Sequence, residues 1–124
     1  MNRNNIIRSI MVKITKDFIE EMNLKGFCDD RPRPYFEWDI NCGLCEDWAN
    51  KVYKELKNVN IEGEVVGNDQ MPKYDDLPWH VFIKIGKKYF DCECLDGVTK
   101  VTDLPIFSRN ENLEREEARK FYNR

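Results

Sequence analysis

The apolar positions of the chain change their spacing from helical to alternating as it runs. Over residues 5–24, Ile7, Ile10, Met11, Ile14, Phe18 and Met22 recur at three- and four-residue steps. That spacing lays one apolar stripe on a helix. Lys25-Gly26 then closes the helix, because glycine tolerates the positive φ that helix ends favour. A second stripe, Cys45, Trp48, Ala49, Val52, Tyr53 and Leu56, predicts a helix over 44–57, entered through Asn41 and Gly43. Its buried face begins with a cysteine in the first turn. Between the two stripes, residues 28–41 carry Asp29-Asp30, the run Arg31-Pro32-Arg33-Pro34, and the aromatics Tyr35, Phe36 and Trp38. Proline cannot sit inside a helix, so this segment reads as an extended loop. Its aromatics fit either a cleft wall or ordinary core packing.

The second half reads as strands. Residues 61–67 form a plausible first strand, and a polar loop follows over 68–78. Residues 79–85 alternate, with Trp79, Val81, Ile83 and Ile85 on one face and His80, Phe82 and Lys84 on the other. Gly86-Lys87 makes a two-residue hairpin turn with glycine first, and the return strand covers 88–94. A third short strand is expected over 98–102. A charged terminal helix is expected over 111–122, with Leu113, Ala118, Phe121 and Tyr122 on its thin apolar edge. The sum is an α+β fold, a single domain over residues 1–124. Its central helix packs on a small antiparallel sheet, flanked by terminal helices.

Composition narrows the partners. The chain has 124 residues, 41% of them hydrophobic and 35% charged, enough to build one core but not two. Its 20 basic and 23 acidic residues are well mixed, with a net charge of -3 and no basic stripe, which argues against nucleic-acid binding. No stretch of about 18 apolar residues exists to span a membrane. The charge-broken N-terminal stretch lacks the features of a signal peptide. Five cysteines (Cys28, Cys42, Cys45, Cys92 and Cys94) are an odd number, which suits thiols in a reducing compartment. The expectation is a cytoplasmic protein.

Three residues carry candidate chemistry. Cys45 sits where a helix begins, and unpaired N–H groups and the helix dipole there favour a thiolate. Those N–H groups can also donate to an oxyanion on an attacked carbonyl. Gly43 lets substrate or backbone approach closely. His80 is the chain's single histidine and so the single candidate for a base that titrates near neutrality. A Gly86-Lys87 turn sets Phe82 opposite Asp91 and His80 opposite Glu93. His80, Phe82, Asp91 and Glu93 then share a face, with Asp91 a diagonal neighbour of His80. Asp91 could hold the imidazole tautomer, and Glu93 is the alternative orienting carboxylate. Each residue taken alone also fits a packing role.

The run Gly43-Leu44-Cys45-Glu46-Asp47-Trp48-Ala49 resembles the G-x-C-x-[DE]-[FWY]-A segment of transglutaminase-like cysteine enzymes. The run from His80 to Asp91 resembles that family's His strand, turn and Asp strand, in the family's order. Cys42-Gly43-Leu44-Cys45 is also similar to the nucleophile segment of papain-like peptidases. The resemblance implies a papain/transglutaminase-like fold with Cys45 as nucleophile, His80 as base and Asp91 as orienting group. It implies a cysteine hydrolase acting on a peptide or protein through a thioester, with no cofactor. The papain pattern is departed from at Asp39, where a glutamine oxyanion donor is usual, and at Glu46, where an aromatic is usual. Asn41 or the Trp38 indole is the expected donor instead.

Other chemistries remain open on the sequence. Cys42, Cys45, Cys92 and Cys94 could supply four thiolates to a structural zinc, although the second pair is tightly spaced. Alternation places Cys92 and Cys94 opposite His80, among Val81 and Ile83, which suits packing instead. Cys42-x-x-Cys45 could also cycle as a redox pair. A non-catalytic peptide-binding module on the same fold fits the same residues.

Overall fold

The computed structural model describes residues 2–27 and 32–108. Helix α1 spans Arg3–Lys25. It starts earlier than the apolar stripe because the Asn2 side chain accepts the Asn5 N–H at 2.9 Å and caps it. Gly26 ends it at φ 85°, with its N–H on the Met22 carbonyl. Helix α2 spans Glu37–Gly43, where the sequence suggested an extended loop. The prolines lie before its start and do not oppose it. Asp39, in the place of the papain-type glutamine, caps it by accepting the Phe36 N–H at 2.8 Å. Helix α3 spans Cys45–Asn58 and buries Cys45, Trp48, Ala49, Val52 and Leu56. Tyr53, expected on the same face, is exposed.

Four antiparallel strands follow in the order β1-β2-β3-β4. They are β1 (Glu64–Gly67), β2 (Val81–Ile85), β3 (Lys88–Asp91) and β4 (Cys94–Val98). Strand β1 begins later than residue 61 because the Ile61 N–H is tied back to the Leu56 carbonyl at the end of α3. The hairpin register is the expected one, with Ile85 opposite Lys88 and Ile83 opposite Phe90. Gly86 takes φ 61° in the turn, a conformation that favours glycine. The return strand is shorter than expected. Residues 92–93 turn, and Cys94 pairs back with Asp91. The last strand, β4, therefore comes earlier than the segment 98–102 expected for it. Val101–Asp103 instead forms a 3-10 turn, followed by the short helix α4 (Pro105–Ser108). The helix expected over 111–122 lies outside the described residues.

Both sheet faces are covered. Val81, Ile83, Ile85 and Phe90 pack with Met11, Ile14, Trp48 and Val52 of α1 and α3. The Trp48 indole donates to the Thr15 hydroxyl at 2.9 Å, fixing α3 on α1. Phe82 and Val66 pack under Val101, Leu104 and Phe107. His80 and Phe82 thus belong to a second small core, where the sequence placed them on a polar face.

Candidate active site

Cys45 is the first residue of α3 and is 4% exposed. No side chain caps this helix start, so its backbone N–H groups are available to the thiol. Gly43 does admit a close neighbour, but that neighbour is the Phe27 ring of the chain itself. A Cβ on Gly43 would fall 2.6 Å from it.

His80 stands just before β2, fully buried. Its backbone is held by Asn68, a residue the pattern did not single out. Asn68 Oδ1 accepts the His80 N–H at 2.8 Å, and the Asn68 N–H donates to the His80 carbonyl at 3.2 Å. The Asn68 amide also donates to the carbonyls of Tyr74 and Leu77, closing the loop that leads to His80. The one sequence signal was an asparagine opening a polar loop, a position where its side chain often bonds nearby backbone. The His80 ring packs against Phe82 and lies edge-on to Phe107.

The ring's two nitrogens have different neighbours. Nε2 lies 3.0 Å from Asp91 Oδ2. The other Asp91 oxygen accepts the Glu93 N–H at 2.9 Å, so the carboxylate is fixed at both ends. In the neutral ring, an Nε2–H that donates to Asp91 leaves the lone pair on Nδ1, and in the charged ring Nδ1 is a second donor. Among the described residues, Nδ1 is the one buried side-chain nitrogen or oxygen without a hydrogen bond of ordinary geometry. The His80 ring also interacts with the Cys45 thiol.

The electrostatics follow from these contacts. Burial is the largest influence on Cys45 and opposes its ionisation. The His80 hydrogen bond and charge, with the N–H groups of Val81 and Glu46, outweigh it and lower the thiol below its ordinary value. Burial is likewise the largest influence on His80 and opposes its charge. Asp91 and Cys45 overcome it and raise the imidazole to about 9. Both shifts favour moving the proton from the Cys45 thiol to the His80 ring.

The secondary candidates fare differently. Glu93 does not reach His80 as the alternative orienting carboxylate. Its turn directs it to Asn41, whose Nδ2 donates to Glu93 Oε1 at 2.9 Å. Asn41 Oδ1 receives the Cys92 thiol at 3.2 Å, so this proposed oxyanion donor is bonded at both ends of its amide. Trp38 is partly exposed on α2 and lines an open groove of ≈ 500 Å³ with Phe36, Glu37, Cys92, Glu93 and Leu95. Tyr35 is buried edge-on against Phe27 rather than in a cleft wall.

The four thiolates proposed for zinc are not gathered. Among the described residues no three metal-ligating side chains cluster. Cys92 packs with Val81 and Ile83 as expected, but Cys94 lies against the second core, because the turn at residues 92–93 reverses the chain between them. Cys45, Cys92 and Cys94 are free thiols. No helix of the described residues is long and apolar enough to cross a membrane.

Comparison with protein-family models, curated proteins and solved structures finds no match to this chain.

Proposed function

We propose that the chain is a cysteine-dependent acyl-transfer enzyme of the papain/transglutaminase-like type, acting as a hydrolase on a peptide or protein. The observation that carries this reading is the buried Cys45–His80–Asp91 array, with Asp91 on Nε2 at 3.0 Å and the Cys45 thiol interacting with the same ring. In the proposed reaction the Cys45 thiolate attacks an amide or ester carbonyl carbon and a C–S bond forms. The oxyanion develops beside the N-terminal N–H groups of α3. His80 Nδ1 gives its proton to the leaving amine or alcohol as that bond breaks, leaving a thioester. His80 Nδ1 then takes a proton from water as the water attacks the thioester. A carboxylic acid leaves and the thiolate returns. Asp91 holds the imidazole ring and stabilises its charge throughout.

A non-catalytic module on the same fold draws on one observation: Cys45 is 4% exposed and His80 0%, which leaves little of either side chain open to an acyl group. A p-nitrophenyl ester separates the readings. The enzyme reading expects a burst of nitrophenolate, an acyl adduct mapped to Cys45, and loss of both in Cys45→Ala. No Cys45 adduct, together with a thiol that still depends on His80, would leave the binding module.

A further inference from the structure

The turn that carries Asp91 is clamped to the helix that leads into Cys45. The Cys92 thiol donates to the Glu37 carbonyl at 3.2 Å and to Asn41 Oδ1 at 3.2 Å. Asn41 Nδ2 donates to Glu93 Oε1 at 2.9 Å, and the Glu93 N–H donates to Asp91 Oδ1 at 2.9 Å. Asn41 is 4% exposed, Cys92 2% and Asp91 1%. Helix α2 ends at Gly43, and Cys45 opens α3 two residues later. Asn41 therefore joins the element that delivers the nucleophile to the element that delivers the orienting carboxylate.

We propose that Asn41, bonded to Glu93, is a positioning residue that sets the approach of the Asp91–His80 pair to Cys45. The proposal rests on the cysteine-enzyme reading. Opposite the Glu93 carboxylate, position 41 requires an amide. The Nδ2 hydrogens meet a carboxylate and the Oδ1 lone pair meets a thiol hydrogen, and no charged or purely apolar side chain does both. Buried polar networks of this kind hold one geometry because each member is costly to leave unpaired. A small drift of the Asp91 turn would lengthen the Nε2 contact, weaken the imidazolium, and raise the thiol it stabilises.

The test reverses the polarity of the pair. Asn41→Asp sets two carboxyl groups face to face. Asn41→Asp with Glu93→Gln restores a donor opposite an acceptor at unchanged net charge, and the new carboxylate can still accept the Cys92 thiol. The readout is the pH profile of iodoacetamide alkylation at Cys45, mapped by peptide mass spectrometry. For N41D the profile should move to higher pH by about one unit, cutting the rate at pH 6.5 about tenfold. The double variant should return to within about threefold of the native rate, as expected for one interacting pair. An unmoved profile in N41D, or a double variant no better than the single, overturns the proposal. If N41D does not fold, Glu93→Gln, which keeps an acceptor for Asn41, is compared with Glu93→Ala, which does not. The proposal requires slower Cys45 alkylation in the alanine variant, and equal rates overturn it. His80→Ala in the same series identifies failure of the underlying reading: Cys45 reactivity indifferent to His80 removes the enzyme reading itself.

Discussion

Two buried cysteines sit at opposite ends of the same constellation and are driven in opposite directions. Cys45 and Cys92 are both almost inaccessible, at 4% and 2% exposure. Burial is the largest influence on each and raises each. At Cys45 the remaining neighbours are donors: the His80 ring and the N–H groups of Val81 and Glu46. At Cys92 they are negative charges, Asp91, Glu93 and Glu37, and its thiol is itself the donor, to the Glu37 carbonyl and Asn41. One thiol is lowered and the other is pushed far above the range in which thiols ionise. Exposure does not separate a lowered from a raised thiol here. The sign of the surrounding partial charges does.

The largest expected effect breaks that contrast at its donor. His80→Ala should slow Cys45 alkylation at pH 7 by about a hundredfold, since the lowered thiol loses both the hydrogen bond and the charge of the imidazole. Asp91→Asn should slow it by about tenfold, because the ring stays in place with a weaker partner. Cys92 should stay unmodified in every folded variant. Rapid Cys92 labelling without unfolding, or a Cys45 rate unchanged in His80→Ala, would erase the contrast.

A smaller effect sharpens it through stability. Taken alone, His80 has a folded value raised from 6.5 to about 9, so its contribution is complete below 6.5 and is lost as pH rises through about 9. Cys45 is lowered from 9.0, so its contribution is complete above 9.0 and is lost as pH falls through its folded value. At pH values above both 6.5 and the lowered Cys45 value, and below about 9, the unfolded chain holds the proton on sulfur and the folded chain holds it on nitrogen. Their proton counts match, and the pair contributes no slope. Cys45→Ala removes the sulfur proton and part of the histidine's rise, leaving the part that Asp91 supplies. Relative to the native chain, the variant should therefore lose stability with rising pH across that window. The limit is about 1.4 kcal/mol per pH unit, measured by denaturant unfolding at several pH values. Parallel stability curves for the two proteins would deny the ion pair.

The smallest effect concerns Cys92 itself. Cys92→Ser keeps a donor toward Glu37 and Asn41, and its Cys45 alkylation rate should stay within about twofold of native. Cys92→Val leaves both acceptors short and should cost about 1–2 kcal/mol in thermal or denaturant unfolding. Equal stability in the serine and valine variants would show that the thiol's hydrogen bonds contribute nothing.

Much of this was legible in the chain. The stripe from Ile7 to Met22 and that from Cys45 to Leu56 fixed two helices, because helical burial repeats every few residues whatever lies beyond. Gly86-Lys87 fixed the hairpin register, and with it the diagonal that puts Asp91 beside His80. The segment around Trp38 was misread because its prolines dominate the local pattern, while the Asp39 cap that starts α2 depends on one backbone N–H three residues earlier. The return strand was carried too far because Cys92 and Glu93 keep an alternating pattern through what is a turn.

The sequence by itself determined which residues could act: one histidine, a cysteine at a helix start, and an aspartate across a two-residue turn. Residue type and local spacing suffice for that, since both are properties of neighbours along the chain. Only the tertiary structure decided what each does. It buried His80 beneath Phe107, turned Glu93 away to Asn41, placed Cys92 among carboxylates, and set Asn68 behind the His80 backbone. Charge, burial and hydrogen-bond partners come from groups many residues apart, and no local pattern encodes which of them will meet.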